Sequence, residues 1–276
     1  MSKLNDSLGD RMKRYEIVNK TVLTRRTPVI IRLDGKAFHT FTKGFKKPFD
    51  NIMVKSMQDT MKYLCENIQG CVLGYTQSDE ITLVLTDYEK LETDAWFDYE
   101  VEKMCSVSAS MATLAFNKAF FKNCEDYFNS EVWLEKEYYY QGDSDPDCKK
   151  YKQTMWNAFV KGAMFDSRVF NVPKEDVTNC VLWRQKDAER NSILSVGQAN
   201  FSHKQLQNKS CKDIVAMLET EKGVIWGNLS TTLKRGSCCI KEVKTVSSDK
   251  EVSKWIIDND IPRFIDEGRE YIEKLI

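Results

Sequence analysis

The chain of 276 residues is short of histidine and has no excess of charge of either sign. Its only histidines are His39 and His203, so a zinc site built from several histidines is excluded. A Ser-His-Asp triad would have only two candidates for its base. The 41 Lys+Arg equal the 41 Asp+Glu, so the formal net charge is zero. Nucleic-acid binding would therefore have to come from local basic patches, because an overall basic excess is missing.

Several other features are missing as well. Five prolines and twelve glycines are too few for a collagen-like or disordered chain. No apolar run approaches the ~18 residues that span a bilayer, so we expect no membrane association. The nine cysteines include no Cys-x-x-Cys pair, and residues 1–16 are polar rather than signal-like. These patterns predict reduced thiols in a cytoplasmic protein. The absence of Walker A and Gly-x-Gly-x-x-Gly motifs excludes a P-loop or a Rossmann site.

Hydrophobic periodicity predicts alternating strands and helices in the first two thirds of the chain. The predicted order is strand, helix, strand, strand, helix, strand, which is the split βαβ or ferredoxin-like arrangement of an α+β protein with an antiparallel sheet. The segments are a strand at 29–31 ending in a turn at 32–35, a helix at 50–67 with Asp50 as its N-cap, strands at 71–75 and 81–85 joined by a hairpin loop at 76–80, a helix at 94–122 and a strand at 167–172.

The remaining segments predict an elaboration of this core. Residues 1–27 form an N-terminal helix (10–19) and a connector, and residues 28–175 form the core, with an insertion at 123–160 that contains a loop at 141–147. Residues 176–276 form a largely helical C-terminal elaboration packed on the core, in one compact unit. Its predicted segments are helices at 183–197 and 211–219, a strand at 237–243 and a final amphipathic helix over 261–275.

Three acidic residues lie at positions that this topology brings together. Asp34 ends the first strand, and Asp79 and Glu80 belong to the hairpin loop. A right-handed crossover makes the first two strands parallel, with the third antiparallel between them, so the acids share one sheet edge. Such carboxylates can hold Mg²⁺, which takes oxygen ligands and completes its shell with substrate phosphates. The alternative is that they are solvated turn residues.

The segment after Asp34 is suited to binding an anion. Gly35 to His39 can turn backbone amides toward a phosphate, and Lys43, Lys46 and Lys47 follow as point charges. The alternatives are a solvated lysine loop and a His39 that merely packs against neighbouring phenylalanines.

Six blocks, in this order and spacing, resemble one family. They are Ile31-Arg-Leu-Asp-Gly-Lys-Ala-Phe-His-Thr-Phe-Thr42, Lys46-Lys47-Pro48, Tyr75-Thr-Gln-Ser-Asp-Glu80, Phe165-Asp-Ser-Arg-Val169, Trp183-Arg-Gln-Lys-Asp-Ala188 and Lys234-Arg235-Gly236. The chain resembles the tRNA-His guanylyltransferase superfamily from about residue 8 to residue 242.

The resemblance implies a polymerase-like palm domain within 28–175 that adds nucleotides to tRNA 5′ ends, in the 3′ to 5′ direction. A nucleoside triphosphate, ATP or GTP, first activates the 5′-phosphate, which the 3′-hydroxyl of the incoming nucleotide then attacks. The family pattern assigns two Mg²⁺ ions to Asp34, the carbonyl of Gly35 and Asp79, with Glu80 as an acidic support. It places the triphosphate on the amides of Lys36, Ala37, Phe38 and His39, with Lys47 and Ser78 nearby.

One block departs from the eukaryotic pattern. The enzymes that recognise tRNA-His carry His-Ile-Asn-Asn, where this chain has Arg190-Asn191-Ser192-Ile193. This resembles the bacterial, archaeal and viral branch, whose members repair 5′ ends by pairing against the opposite strand. The alternatives are a strict tRNA-His guanylyltransferase that adds one G, and a catalytically idle tRNA-binding protein.

RNA contacts are expected from local clusters of basic residues. The candidates are Arg184, Lys186, Arg190, Asn191, Lys204 and Lys209, while Trp183 and Tyr138 to Tyr140 could stack on bases. The alternative is a set of solvated faces and core aromatics. The resemblance also implies a homotetramer with RNA contacts shared between subunits.

Overall fold

One antiparallel sheet of six strands lies at the centre of the computed structural model, which describes residues 7–128, 146–247 and 250–276. The strand order is β4-β1-β3-β2-β5-β6, and every neighbouring pair is antiparallel. The strands are β1 (Val29–Gly35), β2 (Cys71–Gln77), β3 (Glu80–Leu85), β4 (Phe165–Asn171), β5 (Ser237–Ser247) and β6 (Lys250–Asp258).

Helices cover both faces of this sheet. On one face, apolar side chains of α3, α4 and α5 pack against alternate residues of β1 such as Ile31 and Leu33. On the other face, α6 and the C-terminal residues pack against Ile30 and its neighbours. The helices are α1 (Ser7–Ile17), α2 (Phe38–Phe41), α3 (Asn51–Asn67), α4 (Val101–Phe128), α5 (Pro146–Lys161), α6 (Lys174–Asn200), α7 (His203–Leu206), α8 (Cys211–Lys222), α9 (Thr231–Arg235) and α10 (Glu270–Glu273).

The predicted α+β, ferredoxin-like core is confirmed. The order β1-α3-β2-β3-α4-β4 is that of the split βαβ fold, and β3 lies between β1 and β2 as expected. Asp50 caps α3, because its carboxylate accepts hydrogen bonds from the amides of Ile52 and Met53 at 3.0 and 3.2 Å.

The C-terminal segment differs from the prediction. The expected helix over 261–275 is wrong: only a 3₁₀ turn (Asp266–Arg269) and α10 are helical. Pro262 cannot continue a helix, although the apolar spacing around it imitates one. Ile261, Phe264 and Ile272 are nevertheless buried against the sheet. The strand β6 was not predicted. The C-terminal elaboration, expected to be largely helical, extends the sheet by the two strands β5 and β6.

Three helices begin elsewhere than predicted. Helix α1 starts at Ser7 and not at residue 10. Helix α6 starts at Lys174, directly after Pro173, and not at Trp183. Helix α4 starts at Val101, because Phe97, Asp98 and Tyr99 have positive φ and break the helical run. Tyr138 to Tyr140 and positions 141–145 of the predicted loop lie outside the described residues, while Pro146 and Asp147 begin α5.

Candidate active site

The acidic residues meet where β1 ends and β2 turns into β3. Asp34 pairs with Glu80 across the β1–β3 ladder, and Ser78 and Asp79 form the tight turn that precedes Glu80. The amide of Gly35 donates a hydrogen bond of 3.1 Å to the carbonyl of Asp79, which ties the end of β1 to the turn. The topology thus brings Asp34 and Asp79 together as the sequence predicts.

The environment of these two carboxylates disfavours negative charge. Burial raises the pKa of Asp34, and the negative charge of Asp166 on β4 raises it further. The positive charges of Arg168 and Arg32 partly offset this shift by lowering the pKa of Asp34. Burial also raises the pKa of Asp79, and the negative charge of Asp34 adds to this shift. A 3.0 Å hydrogen bond from the Ser78 hydroxyl acts in the opposite direction and lowers the pKa of Asp79. A pair of repelling carboxylates in a partly desolvated site is stabilised by a bound cation.

Glu80 has a different partner. Its carboxylate accepts a 2.6 Å hydrogen bond from Nε of Arg184 on α6, and both residues are buried. Arg184 also donates to Asp187 at 2.9 Å. Glu80 therefore anchors α6 to the sheet beside the acid pair, and Arg184 is not exposed for the RNA contact expected of it.

A cavity of about 500 Å³ opens beside the turn. It lies between the segment after β1, the hairpin turn, α6 and the segment before β5. The lining includes seven of the residues predicted to bind nucleotide or metal, Gly35, Ala37, Phe38, His39, Lys47, Ser78 and Asp79. This volume is in the range of small-ligand sites.

The backbone after β1 presents amides to this cavity. Ala37 has a left-handed conformation (φ 55°, ψ 39°) and precedes the short helix α2, so the chain turns sharply there. The amide of Lys36 donates to the carbonyl of Met164 at 2.9 Å, so it is occupied. Among the described residues, no hydrogen bond acceptor is recorded for the amides of Ala37, Phe38 and His39, which fits an anion-binding nest. Position 35 requires glycine for this backbone path, since a Cβ there would lie 2.2 Å from the Phe38 ring.

The opposite wall of the cavity contains residues that sequence reasoning did not assign to nucleotide binding. They are contributed by α6 and by the segment that leads into β5, among them Asn191, Ser192, Thr232, Lys234 and Gly236. Asn191 had been assigned to RNA. The block Lys234-Arg235-Gly236 was noted for its resemblance, and that was the available signal for Lys234 and Gly236. Ser192 belongs to the block Arg190-Asn191-Ser192-Ile193, which was its available signal, whereas nothing in the sequence singles out Thr232.

The remaining predicted RNA residues are exposed on α6, on α7 and before α8. Lys186 and Arg190 are exposed on α6, Lys204 is exposed on α7 and Lys209 is exposed before α8. None of these four lines the cavity.

Across the described ranges, no group of three or more His, Cys, Asp or Glu side chains is arranged to hold a metal ion. The predicted magnesium site requires only two carboxylates and a backbone carbonyl. Among the described helices, none is long and apolar enough to cross a membrane.

Comparisons with known proteins agree with this geometry. A family model described as tRNAHis guanylyltransferase (Thg1) matches residues 9–173. The solved structure of a bacterial tRNAHis guanylyltransferase (Thg1)-like protein in complex with ATP is 40% identical, covers 98% of both chains and has a TM-score of 0.77. The bacterial Thg1-like protein in complex with GTP is 37% identical over 98% of this chain and 99% of that chain, with a TM-score of 0.72. An uncharacterized protein of Acanthamoeba polyphaga mimivirus is 27% identical over 255 residues, which cover 87% of this chain and 79% of that protein. The chain therefore belongs to the tRNAHis guanylyltransferase (Thg1) family of nucleotidyltransferases.

Proposed function

We propose that the protein is a Mg²⁺-dependent 3′–5′ nucleotidyltransferase that restores missing nucleotides at tRNA 5′ ends, using the opposite strand as template. The observation that carries this proposal is the meeting of Asp34, Gly35 and Asp79. Gly35 and Asp79 line a cavity that also contains Lys47 and three backbone amides without an acceptor among the described residues. Phosphoryl transfer needs mainly positioning and neutralisation of charge, and this site offers both.

The donor set fits magnesium. Asp34, Asp79 and the carbonyl of Gly35 are hard oxygen donors, and Mg²⁺ is typically held by one or two carboxylates together with substrate phosphates. Burial raises the pKa of both carboxylates, and the charge of Asp34 also raises that of Asp79, so a bound cation would stabilise the ionised pair. When bound there, Mg²⁺ would neutralise the charge of the reacting phosphates and polarise them.

The cavity is suited to a nucleoside triphosphate. The amides of Ala37, Phe38 and His39 and the ammonium of Lys47 would bind its phosphates, and the bacterial relatives are described in complex with ATP and with GTP. In the activation step, an oxygen of the RNA 5′-phosphate attacks the α-phosphorus of the triphosphate and pyrophosphate leaves. In the second step, the 3′-hydroxyl of the incoming nucleotide attacks the 5′-phosphorus and the nucleoside monophosphate leaves.

The block Arg190-Asn191-Ser192-Ile193 supports repair over strict guanylation of tRNA-His. In the structure this block is part of the cavity wall: Asn191 and Ser192 line it, and the Ser192 hydroxyl accepts a 3.0 Å hydrogen bond from the indole of Trp226. The position of Asn191 and Ser192 in the cavity wall supports a role of this block in selecting the substrate.

The experiment offers several tRNA transcripts that lack their first nucleotide, together with each of the four nucleoside triphosphates. Repair predicts addition of the nucleotide complementary to the opposite strand, and a change of the opposing base should change the nucleotide added. Addition of G only, and only to tRNA-His, would favour the strict guanylyltransferase instead. Binding of tRNA without any addition would indicate an idle binding protein.

We further propose that the protein acts as a homotetramer, as the resemblance implies. Light scattering coupled to gel filtration should give four times the chain mass of 32.1 kDa.

A further inference from the structure

A large aromatic side chain is exposed beside the acid pair. Trp183 on α6 keeps 54% of its surface accessible. The guanidinium of Arg184 lies 4.5 Å from its ring centroid, and that of Arg32 lies 5.5 Å from it. These cation–π contacts hold the indole in place at the surface without burying it.

Arg32 connects this indole to Asp34. The two residues are two positions apart on β1 and therefore lie on the same face of the sheet, about 7 Å apart. On the neighbouring edge strand β4, Arg168 pairs with Arg32 in the register and Asp166 pairs with Asp34. We call Trp183, Arg32 and Arg168 the indole patch, and it adjoins Asp34.

Along β1, the patch residue Arg32 precedes Asp34 and the cavity residue Gly35 follows it. The cavity is lined by Gly35 and Asp79 but by no residue of the patch. The attacking and leaving oxygens of a phosphoryl transfer lie roughly in line, on opposite sides of the phosphorus. A substrate that meets a nucleotide held in the cavity therefore has to approach from another side, and the indole patch lies on such a path.

The charges of the patch suit a phosphate ester. Glu80 is neutralised by Arg184, and Asp166 lies 3.5 Å from Arg168. Arg32 forms no ion pair within the part of the chain that the structure describes, so its charge is available. An exposed aromatic ring next to an available guanidinium is the combination that binds unpaired nucleotides.

We propose that the indole patch binds the 5′-terminal nucleotide of the acceptor RNA, with Trp183 stacked on its base and Arg32 close to its phosphate. The proposal rests on the proposed function and extends it to the binding of the second substrate. Stacking tolerates any base, because every base has a π-face. This property fits an acceptor whose terminal base differs from one RNA to another.

The test measures RNA affinity rather than activity. The probe is a tRNA transcript that lacks its first nucleotide and carries a 5′-monophosphate, and a second probe has an abasic 5′-terminal residue. The variants are Trp183→Ala, Trp183→Phe and Tyr63→Ala, the last being a matched control because Tyr63 is an exposed aromatic on α3. The dissociation constants of each RNA and of ATP are measured by anisotropy and calorimetry.

Trp183→Ala should weaken binding of the intact RNA roughly 5- to 100-fold, the range that base stacking contributes. Trp183→Phe should recover most of that loss, and Tyr63→Ala should change nothing. On the abasic RNA the effect of Trp183→Ala should disappear, and the affinity for ATP should stay at the wild-type value.

Two results would overturn the proposal. Unchanged affinity of Trp183→Ala for the intact RNA would show that no base stacks on the indole. An equal loss on intact and abasic RNA would show that Trp183 acts only through the shape of the protein. Failure of the proposed function is recognised separately, by wild-type protein that binds the transcript but adds no nucleotide to it.

Discussion

At the scale of single residues, two adjacent lysines of the segment before α3 have different surroundings. The ammonium of Lys46 lies 4.7 and 4.5 Å from the ring centroids of Tyr127 and Tyr151 and is hydrogen bonded to the Tyr127 hydroxyl. The Tyr151 hydroxyl in turn donates to Asp50 at 2.7 Å. Both lysines are exposed and line the cavity, but among the described residues Lys47 forms no hydrogen bond, ion pair or cation–π contact. Lys46 therefore has a structural role, and Lys47 is the better candidate for binding phosphate.

We expect Lys47→Gln to raise the KM for the nucleoside triphosphate by about tenfold or more, since a hydrogen bond to a charged group contributes about 1.5–3 kcal/mol. Lys46→Gln should raise this KM less and lower the free energy of unfolding by about 0.5–1 kcal/mol, through loss of its cation–π contacts. Steady-state kinetics and urea denaturation of both variants provide the comparison. The reverse order of the KM effects would show that Lys46 is the phosphate ligand.

The buried ion pair of Glu80 and Arg184 gives a second prediction at this scale. Arg184→Met leaves Glu80 buried without its partner and should cost about 3–5 kcal/mol of stability. Burial already raises the pKa of Glu80 above its ordinary value, and loss of the guanidinium that opposes this shift would raise it further. A folded-state pKa above the unfolded value means that stability is lost as pH rises, so the deficit should be larger at mildly alkaline than at mildly acidic pH. Urea denaturation at both pH values measures it, and Glu80→Gln added to Arg184→Met should restore part of the stability.

At the scale of elements, the start of β5 depends on one glycine. Gly236 has φ of +84°, and a Cβ there would lie 2.4 Å from the carbonyl of Thr76 on β2. Gly223, which follows α8, also has a positive φ of +64°, but a Cβ there would meet nothing within 4 Å. The two positions differ in backbone conformation as well as in steric contact, since ψ is 19° at Gly223 and −168° at Gly236.

Gly223→Ala should cost about 1–2 kcal/mol from its backbone conformation alone. Gly236→Ala should cost more, because β5 must also move away from β2 at the rim of the cavity. Urea denaturation of the two variants tests this expectation. Equal losses at the two positions would contradict this expectation.

Local signals in the sequence predicted the elements that surround the acid pair. Asp50, followed by apolar residues at spacings of four and three, predicted the start of α3. The polar residues between two β-branched runs predicted the hairpin. Strand β6 was missed because its pairing with β5 is not encoded by spacing. The expected final helix was wrong because Ile261, Phe264 and Ile272 are buried by tertiary packing and not by a helical face. The far wall was not predicted as part of a nucleotide cavity, because Asn191 and Lys234 line one cavity only in the folded chain.

At the scale of the whole molecule, the zero net charge results from opposite charges in separate places. Exposed lysines and arginines lie along α6 and α7, whereas Asp34 and Asp79 lie partly buried at the end of the sheet. The scarcity of histidine does not limit the proposed chemistry, because phosphoryl transfer at paired carboxylates requires no imidazole nucleophile.

The cysteines give a prediction for the molecule as a whole. Five are buried (Cys65, Cys71, Cys124, Cys238 and Cys239), and the other four are partly exposed. Burial raises the pKa of Cys124 to about 12, and it also raises the pKa of the partly exposed Cys105 and Cys180. Because the thiolate is the reactive form, modification by a disulfide reagent should be slow at neutral pH and faster as pH rises. Native protein should react at no more than four thiols, and unfolded protein at all nine. Rapid reaction of more than four in the native state would contradict the burial pattern.

The central claim is that Asp34 and Asp79 together form the catalytic acid pair. The most direct measurement is single-turnover nucleotide addition to a tRNA transcript lacking its first nucleotide, with Mg²⁺, by wild-type protein, Asp34→Asn and Asp79→Asn. Glu221→Gln, which changes an exposed carboxylate on α8, is the control. We predict that both aspartate variants lose addition by roughly 10²- to 10³-fold, as expected when charge stabilisation at a reacting phosphate is removed. Both variants should retain the wild-type fold and RNA affinity, and the control should keep full activity. Normal addition by either aspartate variant would contradict the account.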